Sequence, residues 1–221
     1  MNTMAKKKSI SENDIISLYM DYVLEQHEKP QSVYAFAKAN NFEESEFYSL
    51  FGSFEAIDKQ IYKTFFTNTL SLLVKSKDYG GYDARNKLLS FYFTFFEHLT
   101  ANRSYVVYSL HKHKNRIKNL SHLSQLKLAF TGYIDELEIE TLDINQEDLE
   151  KIKKRALQES AWLQLVLTLK FWLDDSSASF EKTDIFIEKS VNASFDVLNV
   201  APIKSIMDLG KFIFKEKLQS H

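Results

Sequence analysis

The sequence predicts an all-helical protein, and three observations carry that expectation. Chain-breakers are scarce, with five Gly and two Pro in 221 residues, so long uninterrupted helices are favoured. Apolar residues recur at helical spacing along nearly the whole chain. No strand pattern, internal repeat or low-complexity tract emerges.

The elements follow in order. Ser11, with Asp14 three positions on, reads as the cap of a helix over 11–28 that places Ile15, Leu18, Tyr19 and Tyr22 on one face. Pro30 closes that helix or opens the next connection. A short helix over 32–39 turns Val33, Phe36 and Ala37 inward, a turn falls at Asn40-Asn41, and a third helix runs through Phe47, Tyr48 and Phe51. Gly52-Ser53 breaks it. A long helix from about Phe54 to Ser76 then carries Ile57, Ile61, Phe65, Leu72 and Leu73 as apolar positions. The stretch SKDYGGYD (76–83) holds the chain's Gly-Gly pair and reads as a boundary. Beyond it, helices are expected near 83–100, 103–119, 121–140, 146–174, 178–199 and 202–218, with TLDINQED as the clearest loop. The domain reading is a flexible basic terminus (1–9), a head (10–53), a connecting helix (54–78) and a larger helical domain (79–221).

Composition narrows the function classes. The chain is 44% hydrophobic and 26% charged, ordinary for a globular protein. Net charge is −2 and pI about 6.3, so no overall basic field draws it to nucleic acid or acidic lipid. The absence of cysteine excludes disulfides, thiolate metal sites and a cysteine nucleophile, and fits a cytoplasmic protein. No apolar segment follows the basic run at the N-terminus, so no secretory leader or membrane span is read there. The 18 Phe, 11 Tyr and 2 Trp supply either a Phe-rich core or aromatic walls for an apolar ligand.

The stretch KANNFEESEFYSLFGSFEAID (38–58) has helix-turn-helix spacing. Phe36-Ala37-Lys38-Ala39, Phe42, Phe47-Tyr48, Phe51, Ser53, Glu55 and Ile57 resemble the N-terminal head of the TetR family of bacterial transcriptional regulators, over about residues 10–60. The resemblance implies a TetR-like fold: a three-helix head, a connecting helix, and a larger helical domain for ligand binding and dimerisation. It also implies a homodimer that contacts DNA through Lys6, Lys7, Lys8, Lys38, Glu44, Ser45, Tyr48 and Ser49. The departures fall on the side that meets DNA. Asn41 stands where a turn glycine is usual, and Asn tolerates a left-handed backbone. Glu43 stands at the usual serine cap, and Phe54 at a usual lysine. Residues 31–58 hold one base, Lys38, against Glu43, Glu44, Glu46, Glu55 and Asp58, a balance of −4. Affinity for duplex DNA comes largely from phosphate neutralisation by Lys and Arg, so DNA binding is weakened. Lys6, Lys7 and Lys8 read as a compensating arm or as a solvated terminus.

In the second half, FWLDDSSASFEKTDIFIEK (171–189) resembles the C-terminal region of the TetR-fold lipid-binding accessory proteins of coenzyme Q biosynthesis, through Asp175-Ser176-Ser177, Phe180-Glu181, Thr183, Phe186 and Glu188. The same residues also read as a helix end and the cap of the next helix, with Phe180 and Phe186 packed inward. The resemblance implies an apolar ligand, a lipid or isoprenoid, lined by Phe91, Phe95, Tyr105, Tyr108, Trp162 and Phe171. The tail 202–218 is amphipathic, with Ile203, Ile206, Met207, Ile213 and Phe214 on one face. It reads as a helix for a membrane surface, its own domain or a partner subunit.

Enzyme signatures are missing: no Gly-rich phosphate loop, nucleophile elbow or zinc-protease motif occurs. His111 and His113 are two apart and diverge on a helix, so no metal site is read, and no cofactor is implied. The basic segment around them reads as a solvated face or as a dock for an acidic partner or lipid headgroup. Two functions therefore stand: a regulator answering to an apolar effector through an atypical acidic recognition helix, or a lipid-binding accessory, linked to quinone or isoprenoid metabolism, that does not touch DNA.

Overall fold

The computed structural model describes residues 9–111, 121–139 and 147–199. Lys6, Lys7, Lys8, His113, most of the TLDINQED loop and the tail 202–218 lie outside them. Among the described residues there are nine α-helices and no strand. They are α1 (Glu12–Gln26), α2 (Val33–Ala39), α3 (Glu44–Leu50), α4 (Phe54–Lys75), α5 (Ala84–Ala101), α6 (Arg103–His111), α7 (Ser124–Glu136), α8 (Glu147–Asp174) and α9 (Glu181–Asn199). The all-helical expectation holds, and each bound falls within a few residues of the periodic segments wherever the residues are described.

The chain divides into two compact units, Met1–Asn68 with Glu97–Ala129, and Thr69–Phe96 with Phe130–His221. The Gly80-Gly81 pair sits inside the second unit, in a single 3₁₀ turn over Tyr79–Gly81.

In the first unit the local signals act as expected. Ser11 caps α1 in a reciprocal capping box: its hydroxyl accepts from Asp14 N at 3.2 Å, and Asp14 accepts from Ser11 N at 3.0 Å. The buried face of α1 is Ile15, Ile16, Tyr19 and Val23, with Leu18 and Tyr22 half-buried beside it. Phe36 is the hub of the head, meeting Tyr19, Phe42 and Phe54 edge-on at 6.4, 5.7 and 5.7 Å. Such edge-to-face pairs add about 0.5–1.5 kcal/mol each beyond area burial. Ser53 caps α4, its hydroxyl accepting from Ala56 N at 3.3 Å. Along α4 the inward positions include Ile57, Ile61 and Phe65.

The second unit is built on α5, whose run FYFTFF (91–96) buries Phe91, Tyr92, Phe95 and Phe96. Spacing of one and four residues puts these rings on one broad face. Phe91 stacks on Phe95 at 5.3 Å and leans on Phe130 and Tyr133 at 5.4 and 5.1 Å. Phe96 meets Trp172 of α8 at 6.2 Å. Of the apolar positions on α4, Leu72 is 53% exposed, while Leu73 is buried, as is the polar Thr69. Over a 22-residue helix the apolar stripe drifts, and Leu72 ends on the outer side of it.

Candidate functional site

Three arrangements carry chemistry, two in the first unit and one in the second. The head's turn-helix comes first. Ser32 caps α2, accepting from Ala35 N at 3.1 Å, and Asn40 Nδ2 donates back to Phe36 O at 2.8 Å. Asn41 then adopts φ 58°, the left-handed turn that its short side chain tolerates. The turn hands over to Glu43, the cap residue of α3. Glu46 fixes the start of α3: its Oε2 accepts from Glu43 N at 2.9 Å and its Oε1 from Ile10 N at 3.4 Å. This acid is a structural peg as well as a charge.

Ser45, Tyr48 and Ser49 face outward on α3, Tyr48 being 55% exposed, and Glu44 is half-buried. Lys38 lines a groove of about 720 Å³ with Tyr34, Asn41, Glu43 and Glu44. The Lys38 ammonium lies 5.8 Å from the Tyr34 ring centroid. Of the five described DNA-facing candidates, Lys38 and Glu44 line this groove, with Glu43 adding a second acid, and Ser45, Tyr48 and Ser49 are exposed on α3. Anions near a helix N-terminus suit the helix dipole and repel a phosphate approaching it.

A buried polar junction is the second arrangement, and the sequence pattern gives no sign of it. Asp58 of α4 is buried. Its Oδ1 accepts from Tyr19 of α1 at 2.9 Å and from Tyr105 of α6 at 3.2 Å. Its Oδ2 pairs with the Lys29 ammonium at 2.6 Å, and His122 Nε2 lies 4.0 Å away. Lys29 also reaches Glu55 at 3.1 Å. Burial, and then the Asp58 charge, push the Tyr19 and Tyr105 hydroxyls far above the ordinary phenol range, so both stay donors. Burial alone would lower Lys29. Its hydrogen bonds and charge contacts with Asp58, and then with Glu55, reverse that and raise it above the usual ammonium value.

The third arrangement is the aromatic interior of the second unit. Of the six ligand-lining candidates, Phe91 and Phe95 stack directly there. Trp162 is half-buried on α8, and Phe171 faces outward, stacked on Phe186 of α9 at 4.6 Å. Those two Phe rings, with Ile185, Lys182, Lys189 and Ser190, line an apolar surface groove of about 460 Å³. Tyr105 and Tyr108 belong to the first unit, where Tyr105 serves Asp58. The interior also holds Tyr92, Phe96, Phe130, Tyr133 and Trp172, none of which the sequence reading singles out. The available signal is the offset of Tyr92 and Phe96 by one residue from Phe91 and Phe95.

The 171–189 stretch forms the joint between α8 and α9. Asp175 Oδ1 accepts from Ser177 N and Oγ at 2.8 and 2.7 Å, and Oδ2 from Thr183 N and Oγ1 at 3.0 and 2.7 Å. Burial would raise this carboxyl, but the bonds from Ser177 and Thr183 outweigh it and hold it at about 2. The helix-end-and-cap reading describes the joint. Phe180 reaches Trp172 at 6.0 Å, whereas Phe186 packs on Phe171 at the surface.

Among the described residues no group of three or more His, Asp and Glu is placed to hold a metal ion, and no helix is long and apolar enough to cross a membrane.

The class defined by these features is an all-α protein with a short helix-turn-helix and an aromatic-rich helical remainder. Residues 87–213 match the family model described as tetracyclin repressor-like, C-terminal domain. That span is more than half of the chain, which belongs to this family. The head lies outside the matched span. No curated protein matches the chain.

Proposed function

We propose that the chain is a TetR-like regulator that answers to an apolar effector held among the aromatic side chains of its second unit. Family membership over residues 87–213 is the observation that carries this reading. The left-handed Asn41 turn between α2 and α3 supports it, because a DNA-reading head needs two helices set by such a turn.

The regulator works as a two-fold pair. Leu163, Leu167 and Phe171 repeat every four residues on α8 and are exposed, and Ile185 and Val197 are exposed on α9. Covering these half-exposed side chains stabilises a pair by about 1 kcal/mol each. An effector that binds one state of the pair better shifts the population toward it. DNA contact then depends on Lys6, Lys7 and Lys8, since the outer face of α3 is acidic.

That acidity favours a second reading, a TetR-fold accessory that carries a lipid or isoprenoid and keeps its head as structure. One pair of experiments separates the two. A regulator shifts a fragment of its own upstream DNA, and raising salt abolishes the shift steeply; replacing Lys6, Lys7 and Lys8 by Ala lowers the salt slope by about 1 per lysine. No shift at any salt removes the regulator. Mass spectrometry of the purified protein then tests the accessory, which carries apolar material out of the cell with it. A guest-free protein removes that reading.

A further inference from the structure

Tyr92 is fully buried on α5, and among the described residues its hydroxyl has no hydrogen-bond partner. Among the described residues of the second unit it is the one buried side-chain polar atom in that position. The other hydroxyls of this interior are engaged. Tyr133 donates to Lys87 O at 3.1 Å and shares a 2.8 Å bond with Tyr79, and Thr168 donates to Gln164 O at 2.8 Å. Thr183 is held by Asp175.

The rings around Tyr92 are apolar: Phe96 lies parallel at 6.2 Å, and Phe91 and Phe130 stand edge-on at 6.0 and 6.3 Å. A buried donor left unmade is costly, and a native structure keeps one where something else completes it.

We infer that the Tyr92 hydroxyl is the polar anchor for the guest of the second unit, a neutral apolar molecule carrying a single carbonyl-type acceptor. This rests on the reading that the unit takes an apolar effector, and adds its chemical class. Neutrality follows from the surroundings. The charged residue buried in the described part of this unit is itself an anion, Asp175, and an anionic guest would be buried without a cation. A pure hydrocarbon would leave the hydroxyl unmade.

The test uses benzophenone and diphenylmethane, which differ in one C=O against CH2, titrated calorimetrically into the full-length protein and its Tyr92→Phe variant. Wild type should prefer benzophenone by about tenfold, beyond any preference in Y92F, where the two should bind within about twofold of each other. Ligand-free Y92F should melt about 2–4 °C higher than wild type, because an unmade donor is gone and the ring remains. Equal binding of both probes by wild type, or a Y92F that melts lower, overturns the anchor and leaves the apolar-effector reading standing. If neither probe binds wild type, both fall together.

Discussion

Replacing Asp58 by Asn tests whether the buried junction holds the first unit together. The substitution keeps shape and removes charge. Asn Oδ1 still accepts from Tyr19 and Tyr105, 2.9 and 3.2 Å away in wild type, but each bond changes from charge-assisted to neutral, a loss of about 1 kcal/mol apiece. Lys29 loses the partner at 2.6 Å and turns its ammonium toward an amide NH2. Removing one member of a fully buried pair costs about 3–5 kcal/mol. Here the Lys29 side chain is 24% exposed and keeps Glu55 at 3.1 Å, so solvent and the second acid reduce that to about 1–2 kcal/mol. The total is about 3–4 kcal/mol, a large share of the stability of a chain this size. Urea titration followed by far-UV circular dichroism at neutral pH reads it directly. Tyr105→Phe, which removes one hydroxyl, should lose about 1–2 kcal/mol, and the double variant less than the two losses combined, because both act on one carboxylate. A D58N loss under about 1 kcal/mol, or strict additivity with Y105F, would refute the idea that the junction is a cooperative buried network.

Three further outcomes are expected. Leu167→Glu places a charge on a side chain 49% exposed on α8; sedimentation velocity should show a two-fold pair in wild type and a folded monomer in the variant. A wild-type monomer would remove the pairing surface. Asp175 is held at about 2 from an ordinary 3.8, so the stability it contributes is complete above about pH 4 and is lost as pH falls toward about 2. Urea midpoints measured across that window should fall more steeply in wild type than in Asp175→Asn, and parallel curves would count against the bonds from Ser177 and Thr183. Glu46→Ala frees Glu43 N and Ile10 N and should cost about 1–2 kcal/mol by thermal melting; an unchanged melting point would mean that Glu46 does not fix the start of α3.

Features set by neighbours along the chain are legible in the residues alone. The Ser11–Asp14 box, the left-handed turn at Asn41 and the break at Gly52-Ser53 each depend on three or four adjacent residues, and all three are present. Asp58 is not legible in this way. In the sequence it is only one of the five acids counted over 31–58, yet Tyr19 and Tyr105 reach it from 39 and 47 residues away. Sequence spacing carries no sign of such a meeting. Tyr92 escapes for a related reason: periodicity marks a ring as inward, but whether its hydroxyl finds a partner depends on helices folded against it from elsewhere. Leu72 shows a third limit, since a stripe read over one or two turns does not fix which side of a 22-residue helix each leucine ends on.

The double use of Glu46 has a consequence for anyone who would give this protein a firmer grip on nucleic acid. Swapping that glutamate for lysine looks like the most direct repair, since it would trade a repelling group for an attracting one beside the turn. It would also release the two amides that set where the helix begins, so the newly cationic surface would lose its shape as it gained its sign. Engineering toward a polyanion should therefore leave position 46 alone and work outward from Ser45 and Tyr48, which already look into solvent.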